Sequence, residues 1–170
     1  TIGVTIFNLP VEEWLFFLVI PFACFFIYEV VKYFSHSQKW PFIKWIAGFL
    51  AAILLISGIY FMKLEYTFVS FMLASLVLFF ILIRRNQRKY LSLYFKGYLV
   101  SLIPFFLVNG VLTKIPVVLY NNQENLSLRI YSIPVEDMVY LLSLLFINFA
   151  IYETIKRYAE RRNLKPDGRN

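Results

Sequence analysis

Apolar runs of about 20 residues recur along this chain, with only short polar or basic segments between them. That spacing leaves few ways to fold, because a helix needs about 20 apolar residues to cross the hydrocarbon core of a bilayer. Read in order, the runs place spans at about 13–34, 42–61, 66–83, 90–112 and 135–155. A soluble domain is close to half apolar and about a quarter charged, whereas 60% of these residues are hydrophobic and 16% charged. One small core cannot bury such density. The expected fold is an all-α integral membrane protein of about five transmembrane helices.

Two of the spans are copies of each other. Residues 6–34 and 130–158 overlay without a gap and share Pro-Val-Glu (Pro10, Val11, Glu12 against Pro134, Val135, Glu136). They also share Ile-Tyr-Glu (Ile27, Tyr28, Glu29 against Ile151, Tyr152, Glu153), two Phe, a Leu and a Lys. In each copy an acidic pair, Glu12-Glu13 or Glu136-Asp137, follows the proline and precedes the apolar run. The chain reads as a tandem repeat: 1–89 with three spans, then 90–170 with two spans and a basic tail, with a polar linker at 113–132. An even number of crossings separates the copies, so the repeats are parallel. Pro10 and Asn8 read as the first turn and cap of the first span. Pro21 is expected to kink that span, and Pro104 with Gly110 to bend or break the fourth.

The net charge of +7 does not point to nucleic acid, because the basic residues cluster between spans, at 84–89 and 156–162. Such clusters mark cytoplasmic loops. The parity of spans lets both lie inside, with the tail, and puts both Pro-Val-Glu motifs on the outer side at equal depth. Cys24 is the only cysteine and His36 the only histidine. A disulfide, a zinc peptidase site and a Gly-rich dinucleotide fingerprint are all missing their parts. No cofactor is expected, and no Asp-rich pair is present to hold a magnesium diphosphate.

What remains is proton chemistry without a cofactor, or no chemistry. Adjacent carboxyls in a helix's first turn at membrane depth tend to share a proton and suit acid and base work on an apolar substrate. For one such pair alone capping is the favoured reading over catalysis, and Trp14, Tyr131 and Tyr140 fit an interfacial belt. The repetition of the pair favours function, since carboxylates at membrane depth are costly. Glu29 and Glu153 read as inner-interface residues, bridged to Lys32 and Lys156 three positions on in their own helices. Asn109 and Asn148 are candidates to line a cavity.

The motif carried by residues 9–17 and again by 133–138 resembles that of the heterodimeric and fused lycopene cyclases of bacteria, archaea and fungi. The second copy is the Glu/Asp variant of the motif. The resemblance implies redox-neutral cyclisation of the end of lycopene to a β-ring, with Glu12, Glu13, Glu136 and Asp137 as acid and base. It implies a carotenoid substrate entering from the lipid bilayer. Fused members carry helices before the first motif, so N-terminal spans or a partner subunit are expected in addition to this chain. A proton- or ion-coupled transport or scaffold protein is the alternative from another class. A retinal protein would need a mid-membrane lysine, for which Lys96 is the only candidate.

Overall fold

The computed structural model describes residues 5–6, 9–35, 40–114 and 123–163, with side chains for 19–35, 40–113 and 123–162. The chain builds β1 (Thr5–Ile6), β2 (Leu9–Pro10), α1 (Val11–Phe34), α2 (Ile43–Tyr60), α3 (Glu65–Ile83) and α4 (Arg85–Arg88). It continues through α5 (Leu91–Lys114), β3 (Arg129–Ile130), β4 (Ile133–Pro134) and α6 (Val135–Asn163). Among the described residues, α2, α3, α5 and α6 are each long and apolar enough to cross a membrane. The 24 residues of α1 extend about 36 Å at 1.5 Å per residue, enough for a fifth span. The all-α membrane fold with about five spans is what the structure shows.

Each repeat segment enters its helix the same way. In β1–β2 Thr5 pairs with Pro10 and Ile6 with Leu9, and in β3–β4 Arg129 pairs with Pro134 and Ile130 with Ile133. The repeat offset carries one register onto the other. Both prolines therefore close a small hairpin rather than occupy the first helical turn, and the helices start one residue later, at Val11 and Val135. An edge position tolerates proline because no ladder N–H is needed there. Strands of two residues are too short to show alternation, so the sequence pattern does not reveal them. Tyr131 turns the second hairpin with φ at 59°, the left-handed conformation that two-residue loops demand. Asn8 lies outside the described residues.

α2 and α3 pack as an antiparallel pair through small residues. Ala47, Ala51 and Gly58 face α3, where Ala74 and Ser75 are fully buried. Small side chains let membrane helices approach closely, and Ser75 Oγ donates to the Ala51 carbonyl at 2.9 Å. α3 and α6 run parallel. Thr67 meets Glu136 near their starts, and Gln87, just past the end of α3, meets Thr154. Gln87 lies within the basic cluster, yet it is buried: its Nε2 donates to Ala150 O and Thr154 Oγ1, and its Oε1 accepts from Tyr94. Both basic clusters thus sit at one end of the bundle. α6 spans 29 residues, about 43 Å, so its basic end outlasts the roughly 30 Å hydrocarbon core.

α5 is not broken, since one helix runs through Pro104 and Gly110. A proline removes a single backbone bond, and in lipid the remaining bonds of the helix have no water to exchange with. Glu29 keeps the expected ion pair with Lys32 in its own helix, at 3.9 Å, but both glutamates also bond across to the other helix, and Glu153 pairs with Lys32 rather than with Lys156. The interior between α1, α5 and α6 is aromatic: Tyr28, Tyr94, Phe146 and Phe149 are all fully buried.

Gly97 is where α5 touches that interior. A Cβ built there would stand 2.9 Å from Phe149 Cε2, whereas at Gly110 it would meet nothing within 4 Å. Gly97→Ala should lower stability by about 1–3 kcal/mol through overpacking, while Gly110→Ala should gain up to about 1 kcal/mol of helix propensity. Thermal unfolding of the two purified variants in detergent checks the opposite signs.

Candidate active site

The first turn of a helix leaves backbone N–H groups without partners, and α3 has no side-chain cap at Leu64. The segment 123–128 fills the need. The carbonyl of Glu124 accepts from Tyr66 N at 3.1 Å, and Val135 N donates back to Leu128 O at 3.1 Å. Within this segment Asn125 is buried and its Oδ1 accepts from Ser127 N at 2.8 Å. Ser127 adopts φ of 57°. The second half of the polar linker is therefore not a spacer. It ties the start of α3 to the start of α6.

That tie encloses Glu136, which is fully buried. Its Oε1 accepts from Thr67 Oγ1 at 2.7 Å and from Leu126 N at 2.7 Å. Its Oε2 is buried as well and has no hydrogen-bond partner among the described residues. A buried polar atom without a partner costs about 1–3 kcal/mol, so such an atom calls for a reason. Asp137 follows at 7% exposure, and Tyr66 OH donates to its Oδ1. Ser70 lies one turn beyond Thr67 on the same helix, with its Oγ also buried and unpartnered among the described residues. The arrangement presents one carboxyl oxygen pinned by two donors and the other buried with no hydrogen-bond partner among the described residues. A carboxyl held in that way can carry a proton on its open oxygen and deliver it to an apolar neighbour.

The residues singled out in the sequence are placed as follows. Glu136 and Asp137 stand together in the first turn of α6, directly after the buried Pro134. Glu12 and Glu13 follow Pro10 in the first turn of α1, and their side chains lie outside the described residues. Asn109 Nδ2 donates to Phe105 O at 3.2 Å and Asn148 Nδ2 to Leu144 O at 2.8 Å, each within its own helix. Lys96 belongs to the other end of the bundle, where its Nζ donates to Ser35 Oγ at 2.6 Å. An apolar groove of about 430 Å³ opens between the later halves of α3 and α6, lined by Leu76, Phe80, Phe146 and Ile151 among others. It holds no acid. Among the described residues no group of three or more His, Cys, Asp or Glu stands together as a metal site would need.

Tyr66, Thr67 and the Leu126 amide are the partners that sequence reading passed over. Counting spans would have found two of them, since span three starts on the same side as the second motif. The amide carries no side-chain signal at all.

A family model described as lycopene cyclase matches residues 1–31 and 63–155. Comparison with curated proteins and with solved structures gave no match. The family match covers most of both motif helices and all of α3, which supplies Thr67 and Tyr66. The chain belongs to the lycopene cyclase family.

Thr67→Val keeps the shape of the side chain and removes its donor. It should cost about 1–3 kcal/mol, the loss for a buried acceptor deprived of a partner. Thr67→Ser should stay within about 1 kcal/mol of the parent, because its hydroxyl can still donate. Chemical unfolding of both variants in the same detergent measures the difference.

Proposed function

We propose that this member of the lycopene cyclase family closes the end of a linear carotene into a β-ring by proton transfer alone, with Glu136 as the donor. The single observation that carries the assignment is the open Oε2 of Glu136, buried and unpartnered among the described residues while Oε1 is held twice. A proton from Oε2 adds to the terminal C1–C2 double bond and leaves a tertiary cation. The next trisubstituted double bond attacks that cation and closes a six-membered ring, which moves the cation into the ring. Loss of a ring proton to a carboxylate restores the double bond. One proton enters and one leaves, so the product is an isomer and no electron carrier is consumed.

The acceptor is one of Asp137, Glu12 and Glu13. Asp137 is near at hand and already accepts from the Tyr66 phenol. Glu12 and Glu13 begin the helix that repeats α6. A hydrocarbon substrate reaches such a site through lipid, and water kept away from the cation cannot quench it. We further place the basic loops and the tail on the cytoplasmic side, from the clusters at 84–89 and 156–162. The carboxyls then work from the outer half of the bilayer. The two repeats, 1–89 and 90–170, contribute one motif each.

Pigment analysis in bacteria that accumulate lycopene tests the reading. Cells making the full-length gene product should convert lycopene to cyclic carotene. Glu136→Gln should lower conversion by at least about a hundredfold, the span expected for losing a positioned acid, and Glu12→Gln should also impair it. Well-expressed protein that leaves lycopene untouched would overturn the cyclase reading, and proton-coupled transport would then be the function to assay.

A further inference from the structure

At the end of the bundle away from the carboxyl site, α1 and α6 carry a second repeated set: Tyr28, Glu29 and Lys32, against Tyr152, Glu153 and Lys156. Each helix's glutamate is held by the other helix. Tyr28 OH donates to Glu153 Oε1 at 2.7 Å, and Lys32 Nζ donates to the same oxygen. In return Lys156 Nζ donates to Glu29 Oε1 at 3.1 Å. Lys32 also stands 3.9 Å from Glu29, so the four charges form one connected group.

The rings repeat the exchange. Phe25 stacks on Tyr152 with centroids 5.2 Å apart, and Tyr28 stacks on Phe149 at 4.6 Å. Phe25 and Phe149 are equivalent residues of the two copies, as are Tyr28 and Tyr152. Tyr28 and Tyr152 themselves meet edge-on at 5.9 Å. Contacts that swap when the copies are exchanged, with equivalent residues touching at the centre, describe a local two-fold axis between α1 and α6.

The distance from this axis to the acidic motifs is the same on both helices. Seventeen residues separate Glu29 from Glu12, and 17 separate Glu153 from Glu136, about 26 Å along a helix. Two rods pinned in register at one end, with equal lengths to their tips, bring their tips to equal depth. A slip of one helical turn, about 5.4 Å, would take all of these partners out of reach together. We propose that this reciprocal brace sets the axial register of α1 against α6 and so positions the two Pro-Val-Glu motifs against one substrate end. The proposal rests on the cyclase reading for its substrate, but the register it describes does not.

Burial supports a cost for failure. Glu153 is 1% exposed, and a buried carboxylate stripped of its cation is strongly destabilising. Glu29 is 41% exposed in its side chain, so the Glu29–Lys156 arm can be altered while the buried arm stays intact. Tyr28, Tyr152 and the four charges touch no described residue of the carboxyl site. They are positioning residues.

The experiment uses that outer arm in the full-length protein. Lys156→Glu should lower kcat on a linear carotene by more than about tenfold, as misplacement by an ångström does, with KM nearly unchanged and with folded protein recovered in normal amount. Lys156→Gln should give a smaller loss, and Glu29→Lys combined with Lys156→Glu should restore turnover. A second readout needs no activity. Spin labels at the repeat-equivalent positions Phe16→Cys and Tyr140→Cys, in a Cys24→Ala background, should give a narrow distance distribution. Lys156→Glu should shift or broaden it, and the double exchange should restore it. Unchanged turnover and unchanged distances in Lys156→Glu would overturn the brace, as would failure of the double exchange to rescue either. If the parent protein converts no carotene, the cyclase reading falls, and the label distances alone decide the brace.

Discussion

In a hydrocarbon solvent a carboxyl group has no water to turn to, and this molecule is arranged around how its buried acids are answered. A charge at membrane depth is costly and persists only where other groups meet it. Glu153 is met by a lysine and a tyrosine from another helix. Among the described residues Glu136 is met by a threonine and a backbone amide on one oxygen only. The first arrangement is closed and the second is open. A closed arrangement holds helices together, whereas the open one leaves a buried carboxyl oxygen with no donor among the described residues.

The same solvent explains why the site needs the loop before α6. Membrane helices do not attract one another by the hydrophobic effect, since lipid is as apolar as they are. Close packing and hydrogen bonds do the work instead. Between α2 and α3 small residues and the Ser75 bond suffice. Between α3 and α6 a loop of 123–128 bridges the helix starts, capping α3 with a carbonyl and holding Glu136 with an amide. Its backbone is irregular, which membranes tolerate where protein covers it. The placement of Glu136 thus comes from main-chain atoms as much as from side chains.

The two ends of the bundle divide the labour. Basic residues and the crossed Glu–Lys pairs gather at one end, and the acidic motifs with the hairpins at the other. The copies match down to the hairpin register, with Thr5 on Pro10 repeated as Arg129 on Pro134. Yet the copies are not used alike. Glu29 is half exposed where Glu153 is buried, because α6 packs against α3 and α5 as well as α1, and so lies deeper in the bundle.

The amino-acid order by itself determined that the chain is a bundle of membrane helices, because the lengths of its apolar runs permit nothing else. It also marked where two equivalent segments lie and which acids open them, since identity at a constant offset is visible without coordinates. Its local signals failed where partners are distant. Periodicity could not say that Glu29 and Glu153 would reach across to the other helix, that α5 would continue unbroken through Pro104, or that Leu126 would offer its amide to Glu136. Those outcomes depend on which helices become neighbours and at what register. Only the tertiary structure decided them, because a hydrogen bond between residues 10 or 125 positions apart is set by packing and not by sequence spacing.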